Sequence, residues 1–227
     1  MLEYYEILKK SYLFSGADRS ALEHILRCME AHVCSYGKGE IIYHYGERIS
    51  WAGIVLDGKV ALVAPGKDGE ESHIRLVGPS ESFGCSNSCL AEQPALVMVM
   101  AKKKTKILFV NLSKLFRREA LGCAYAGLVT VNLLKQTAAE NLAQSRRIHI
   151  MSQKSIRDKL KLMLVQFSTD GKSAVLSMNR QELADYLVVE RSALSREMAR
   201  MKNEGLIDYR KNAISIFYDF VADATDF

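Results

Sequence analysis

Arg191, Ser192, Ser195 and Arg196 fall at spacings that bring them to one side of a single helix, near its N-terminal end. Residues of these types suit the edges of DNA bases. A guanidinium is a planar fork that can give two hydrogen bonds to guanine O6 and N7, and a serine hydroxyl can serve either sign of base edge. Arg180, Gln181, Arg200 and Lys202 occur in the same stretch and suit a different contact. Phosphate contacts fix the position of a protein on a duplex without reading its sequence. The stretch 177–211 carries seven basic and six acidic residues, so the argument rests on where the arginines stand and not on bulk charge.

A second set of reactive side chains is less directed. There are five cysteines, Cys28, Cys34, Cys85, Cys89 and Cys123. Cys85 and Cys89 are four apart and can share one face of a short helix; with Cys123 they offer a redox switch or a thiolate metal site as an alternative. Small, buried, inert thiols are the more common outcome, and no metal site is expected. His24, His32, His44, His73 and His149 show no ligand spacing. No His-x-His and carboxylate cluster stands on a strand pattern, so an enzyme is not expected.

The elements that must position the first set are readable. Asn179 can cap a short helix, with Glu182 completing a capping box, and Leu183, Ala184 and Leu187 form its apolar face. A second helix is predicted over Arg191–Asn203 with a buried stripe of Leu194, Met198 and Met201. Gly205 is placed to end it. Leu206 and Ile207 then begin a hairpin turning at Lys211–Asn212. Two short helices joined by a few residues make a helix-turn-helix, and the hairpin makes it winged.

Upstream, Leu22, Ile25, Leu26 and Met29 recur at helical spacing. Short strand-like runs follow, at Glu40–Tyr45, Gly53–Leu56, Lys59–Ala64, LVMVMA and TKILFV, broken by turns such as Asp57–Gly58. Many short strands at close spacing predict an antiparallel sandwich or barrel. From about Ser113 to Arg147 the period changes. Leu121, Ala124, Leu128, Val131, Ala138 and Leu142 form the seam of a coiled coil, leaving Leu133 and Leu134 to pack on the β domain. The predicted class is α+β: a β-roll sensor domain over 1–112, a long dimerisation helix and hinge over 113–148, and a winged helix-turn-helix over 149–227.

Composition agrees with a soluble chain. Of 227 residues, 48% are hydrophobic and 25% charged, and the net charge is +5. No apolar run reaches the length of a membrane span. MLEYYEILKK lacks the basic start and apolar core of a secretion signal, so the cytoplasm is expected, with no membrane partner.

RQELADYLVVERSALSREMARMKNEGLI resembles the DNA-binding end of the CRP/FNR family, the cyclic-AMP receptor protein and its relatives. KGEIIYHYGE, GIVLDGKVAL and ESFG resemble that family's cyclic-nucleotide-binding β-roll, so the likeness covers nearly the whole chain. The resemblance implies a bacterial transcription regulator acting as a homodimer on a palindromic double-stranded DNA site, with RNA polymerase as a partner if it activates. It places Arg191, Ser192, Ser195 and Arg196 at the base-reading positions, and the Ser195–Arg196 pair resembles the FNR branch. Val188 stands where the family has a turn glycine, Glu190 where it has a small polar cap, and Ser192 where it commonly has a glutamate. An FNR-type cysteine cluster is absent, since Cys28 and Cys34 are only a pair. In the segment FGCSNSCLAEQPALVMVM, Cys85 stands at the position of a ribose-holding glutamate. Ala95 and Leu96 replace the arginine and hydroxyl residue that hold a cyclic phosphate. Neither supplies the cation or donors that a buried phosphate needs. The expectation is an unidentified small-molecule effector other than cyclic AMP, with no resident cofactor. Its pocket would be lined by Phe83, Gly84, Cys85, Ser86, Cys89, Ala95, Leu96 and Leu128.

Overall fold

The computed structural model describes residues 2–65, 71–90, 93–116, 124–168, 172–176, 178–210 and 213–217. The chain forms two compact units, residues 1–138 and 139–227. The division falls inside one helix.

In the first unit, α1 (Tyr5–Leu8) and α2 (Arg19–Cys28) precede the strands. Asp18 caps α2 by accepting the Ala21 N–H at 2.7 Å. Leu22, Ile25, Leu26 and Met29 are buried, as their spacing predicts. Eight strands follow: β1 (His32–Tyr36), β2 (Ile41–Tyr43), β3 (Ala52–Asp57), β4 (Val60–Pro65), β5 (Glu71–Val77), β6 (Ser82–Phe83), β7 (Met98–Ala101) and β8 (Thr105–Val110). They make two antiparallel sheets, β1-β8-β3-β6 and β2-β7-β4-β5.

The period-2 alternation of a strand assigns the two faces of the first sheet. Val55, Phe83, Ile107 and Phe109 join Val60, Val77 and Val99 of the second sheet in one core. Ala52, Ile54, Leu56, Leu108 and Val110 point the other way, into a core shared with α1 and α2. Gly53 is required by close approach: a Cβ there would lie 2.2 Å from Phe83 Cζ.

The short helix α3 (Cys85–Cys89) follows β6, and a 3₁₀ helix covers Leu112–Phe116. The long helix α4 runs Ala126–Ser152. It starts later than the sequence suggests. Leu121 lies outside the described residues, and Ala124 sits in a turn before the helix. Within the first unit, Val129 and Leu133 of α4 pack into the helical core. Leu134 does not: it is 68% exposed, contrary to the expectation that it covers the β domain. Successive helical residues differ by about 100°, so neighbours can face different surroundings.

The second unit contains the rest of α4, then α5 (Ile156–Phe167), β9 (Ser173–Val175), α6 (Arg180–Leu187), α7 (Arg191–Asn203), β10 (Ile207–Arg210) and β11 (Ala213–Ile216). Strands β10 and β11 pair antiparallel, Arg210 opposite Ala213, and β9 adds to the other edge of β11. The expected turn at Lys211–Asn212 lies outside the described residues. The core gathers Ile150, Leu160, Met163, Leu164, Leu183, Leu187, Leu194, Met198, Met201 and Ile207.

Candidate nucleic-acid interface

Helix α6 begins with the predicted capping box. Asn179 Oδ1 accepts the N–H groups of Gln181 at 2.9 Å and Glu182 at 3.0 Å, and Glu182 Oε2 accepts the Asn179 N–H at 2.7 Å. At its other end Val188 adopts the left-handed conformation, φ 53 and ψ 57. The turn therefore keeps the backbone that favours glycine, with a β-branched residue in it. The Val189 N–H closes the end of α6 on the Ala184 carbonyl at 3.0 Å.

Glu190 then caps α7, and more effectively than a residue type outside the preferred N-caps predicts. Its carboxylate accepts the Ser192 and Ala193 N–H groups, both at 2.8 Å, and the Ser192 hydroxyl donates to Glu190 Oε2. These donors, with Arg196 nearby, bring its carboxyl down to about 2, far below the ordinary carboxylate range. The negative charge also suits the helix N-terminus.

Helix α7 buries Leu194, Met198 and Met201. Arg191, Ser192, Ser195 and Arg196 are all exposed on its first turns. The Ser195 hydroxyl donates back to the Arg191 carbonyl at 2.9 Å. The helix ends as predicted: Gly205 has φ +72, and the Leu206 N–H bonds to the Met201 carbonyl at 3.0 Å.

The residues expected at the DNA backbone divide. Gln181 is exposed and donates to Asp185 Oδ1 at 2.9 Å. Arg200 pairs with Glu197 at 3.1 Å on the surface. Lys202 pairs with Asp208 and lies 5.3 Å from the centre of the Tyr209 ring. Arg180 departs from expectation. Its guanidinium sits 4.6 Å over the Tyr209 ring, with Nη1 2.8 Å from Met198 Sδ. Burial lowers its pKa. The wing strand thus holds this half-buried arginine against the unit.

Two further positioning residues come from α5. Arg157 reaches Glu197 and Glu204 of the α7 region. Lys159 Nζ donates to the Leu187 carbonyl at 3.1 Å, at the C-terminal end of α6. No local spacing announces either contact, because each partner is at least 28 residues away.

In the first unit the proposed pocket residues separate. Phe83 enters the core between the sheets, 6.3 Å from Tyr43 and 6.5 Å from Phe109 between ring centres. Cys85, Cys89 and Leu128 pack instead on the helical core. Gly84 adopts the left-handed turn that starts α3, and Ser86 belongs to that helix. Ala95 is buried, its N–H bonded to the Glu47 carbonyl at 2.8 Å. Leu96 is 73% exposed. Phe83 thus belongs to one core and Cys85, Cys89 and Leu128 to another. The left-handed Gly84 ends the strand's alternation and begins α3, so Phe83 and Cys85, two residues apart, serve different cores.

The cassette is nevertheless anchored. The buried Ser88 hydroxyl donates to the Ser50 carbonyl at 2.8 Å and accepts the Leu112 N–H at 3.1 Å. Gln136 of α4 donates to Ser82 Oγ of β6 at 2.9 Å. Burial raises the Cys89 thiol. Cys123 lies outside the described residues. Among the described residues no group of three His, Cys, Asp or Glu side chains could hold a metal ion, and no helix is long and apolar enough to cross a membrane.

Residues 33–118 match the cyclic nucleotide-binding domain, and residues 159–217 match the Crp-like helix-turn-helix domain. The cyclic AMP receptor protein of Thermus thermophilus is 25% identical over 201 residues, 88% of this chain and 89% of its own. Among solved structures, CprK complexed with OCPA shares the fold with a TM-score of 0.65 at 16% identity, over 88% of this chain and 92% of its own. The c-di-GMP-responsive global regulator CLP of Xanthomonas campestris shares it with a TM-score of 0.59 at 18% identity, over 88% of this chain and all of its own. A cyclic-nucleotide-binding-type β domain followed by a Crp-like helix-turn-helix defines a DNA-binding transcription regulator. The chain belongs to the CRP/FNR family.

Proposed function

We propose that this regulator acts as a homodimer on a palindromic duplex, reading base edges with Arg191, Ser192, Ser195 and Arg196. The observation that carries the reading is the arrangement of α7. These four side chains are exposed at its N-terminal end, while Leu194, Met198 and Met201 hold the opposite face in the core. Recognition helices present their N-terminal residues to the major groove in this way. Gln181, Arg200 and Lys202 supply backbone contacts. RNA polymerase becomes a partner if the chain activates, and the cytoplasm is its compartment.

The exposed apolar residues Val131, Leu134 and Leu142 of α4, with Ala138, support the dimer. Val131, Ala138 and Leu142 keep the heptad positions of a coiled-coil seam, and Leu134 lies beside them. The controlling effector is a small molecule other than cyclic AMP, because Ala95 and Leu96 offer no partner to a phosphate. An isothermal titration with cyclic AMP is expected to show no specific binding; micromolar affinity would overturn that part. The redox alternative is disfavoured at Cys89, whose raised pKa holds it as the unreactive thiol.

The test is selection of bound sequences from a random duplex pool by the purified protein, in parallel under reducing and oxidising conditions. A palindromic motif in both is expected. A motif in one redox state alone would make the cysteines the sensor. No enriched motif in either state would overturn the DNA-reading assignment.

A further inference from the structure

The bond between Ser192 and Glu190 bears on which bases the helix selects. A serine hydroxyl has one proton to donate and two lone pairs to accept with. In this chain the proton is directed at Glu190 Oε2. The same carboxylate is held in place by the backbone N–H groups of Ser192 and Ala193, both at 2.8 Å. Glu190 belongs to the turn and cannot swing away without giving up the α7 cap.

The hydroxyl of Ser192 therefore faces outward with lone pairs only. Resting on the reading of α7 as the recognition helix, we infer that Glu190 is a specificity-determining positioning residue. It fixes Ser192 as a hydrogen-bond acceptor that selects a base carrying an exocyclic amino group, cytosine or adenine. In the major groove the donors are cytosine N4–H and adenine N6–H, whereas guanine and the thymine carbonyl offer acceptors. A guanine or thymine at that place would set acceptor against acceptor. Glu190 needs no contact with the DNA to act this way.

The arrangement also separates the labour along α7. Ser195 bonds its own proton to the Arg191 carbonyl, so both exposed serines present acceptors. Arg191 and Arg196 present only donors. Ser192 differs from Ser195 in that its proton is held by a side chain that can be changed without altering the helix backbone.

The experiment is sequence selection from a random duplex pool with the full-length wild type, Ser192→Ala and Glu190→Gln, each checked by its thermal midpoint. The base position that loses its preference in Ser192→Ala is the one Ser192 reads. In the wild type that position is expected to favour cytosine or adenine over guanine or thymine by roughly tenfold, the effect of one mismatched buried hydrogen bond. In Glu190→Gln the amide can itself donate to Ser192, which frees the hydroxyl proton. Preference at that position should then fall below about threefold while the other positions persist. A wild-type preference for guanine or thymine there would overturn the inference, as would an unchanged profile in Glu190→Gln. Loss of no position in Ser192→Ala would overturn it too. A wild type that enriches no motif at all would instead remove the underlying assignment of α7 to DNA.

Discussion

Both terminal nitrogens of Arg157 lie 2.8 Å from the two carboxylate oxygens of Glu204, while its Nε lies 2.6 Å from Glu197 Oε1. One guanidinium thus ties α5 to two points of the α7 region. The fork geometry makes such contacts specific as well as attractive. Arg157→Ala removes both ties and leaves the largely covered Glu197 with Arg200 alone. The thermal midpoint should fall by about 4 °C, with weaker binding to the selected duplex because α7 is less firmly held. Arg157→Lys should recover less than half of the loss, since a point charge cannot make the paired contact. Calorimetry and a binding titration on the same samples check this.

Val188 offers a change in the opposite direction. A non-glycine residue in the left-handed region costs roughly 1–2 kcal/mol, and this side chain is 59% exposed, so little burial is lost on replacing it. Val188→Gly should stabilise the second unit, raising the thermal midpoint by about 2–4 °C. A lower midpoint would show that the valine side chain contributes more than its backbone strain removes.

The pH dependence of the α7 cap follows from Glu190. Its carboxyl falls from an ordinary value near 4.5 to about 2 on folding. The unfolded chain therefore binds this proton first as pH drops. The contribution of the cap is complete above about pH 4.5, declines as pH falls toward 2, and is absent below. Glu204 and Asp208 shift in the same direction, so the diagnostic is a difference. Denaturation midpoints of the wild type should fall more steeply between pH 5 and 3 than those of Glu190→Gln. Parallel curves would remove the cap as the cause.

What could be read beforehand follows the range of the interaction. The capping box at Asn179 and Glu182, the Leu194–Met198–Met201 stripe and the Gly205 terminus are all set within a few residues, and each was legible. Strand β9 was not, because three residues, Ser173–Val175, carry no period of their own and are held by β11 some 40 positions on. The stacking of Arg180 on Tyr209 was not legible either, because Tyr209 arrives from the wing. Glu190 is not among the preferred N-cap types, and its capping depends on a folded-back side chain that its residue type does not announce. In the first unit the strand runs and turns were plain. Which core Phe83 and Cys85 would face was not, since a single left-handed residue at Gly84 resets the alternation.

Asn132 is the buried polar group of α4 in the first unit. Its Nδ2 donates to the carbonyls of Leu13 at 3.2 Å and Ser15 at 2.8 Å. This fastens α4 to the N-terminal segment. Asn132→Leu keeps the volume and leaves two carbonyls facing an apolar side chain. A loss of about 1–3 kcal/mol in denaturant unfolding is expected, with the larger share if water cannot enter. A neutral result would mean that water replaces the amide.

The seam of α4 gives the sharpest test of assembly, because the structure separates Leu128 from Leu142, which the sequence pattern puts in one seam, and exposes Leu134, which that pattern assigns to the β domain. Leu128 is half-buried and packs on the helical core of its own unit, with Cδ1 3.6 Å from where a Gly16 Cβ would stand. Leu134 and Leu142 are 68% and 53% exposed. Leu134→Glu and Leu142→Glu should therefore convert a dimer to a monomer in sedimentation while leaving unit stability near the wild-type value, since a charge is costly only where it becomes buried. Leu128→Glu should lower stability even where the chain is monomeric, because its charge enters the unit's own core. If Leu134→Glu remained dimeric, the stripe of Val131, Leu134, Ala138 and Leu142 would not be the seam. If Leu128→Glu alone dissociated the protein, the seam would lie along the flank of α4 nearer the first unit.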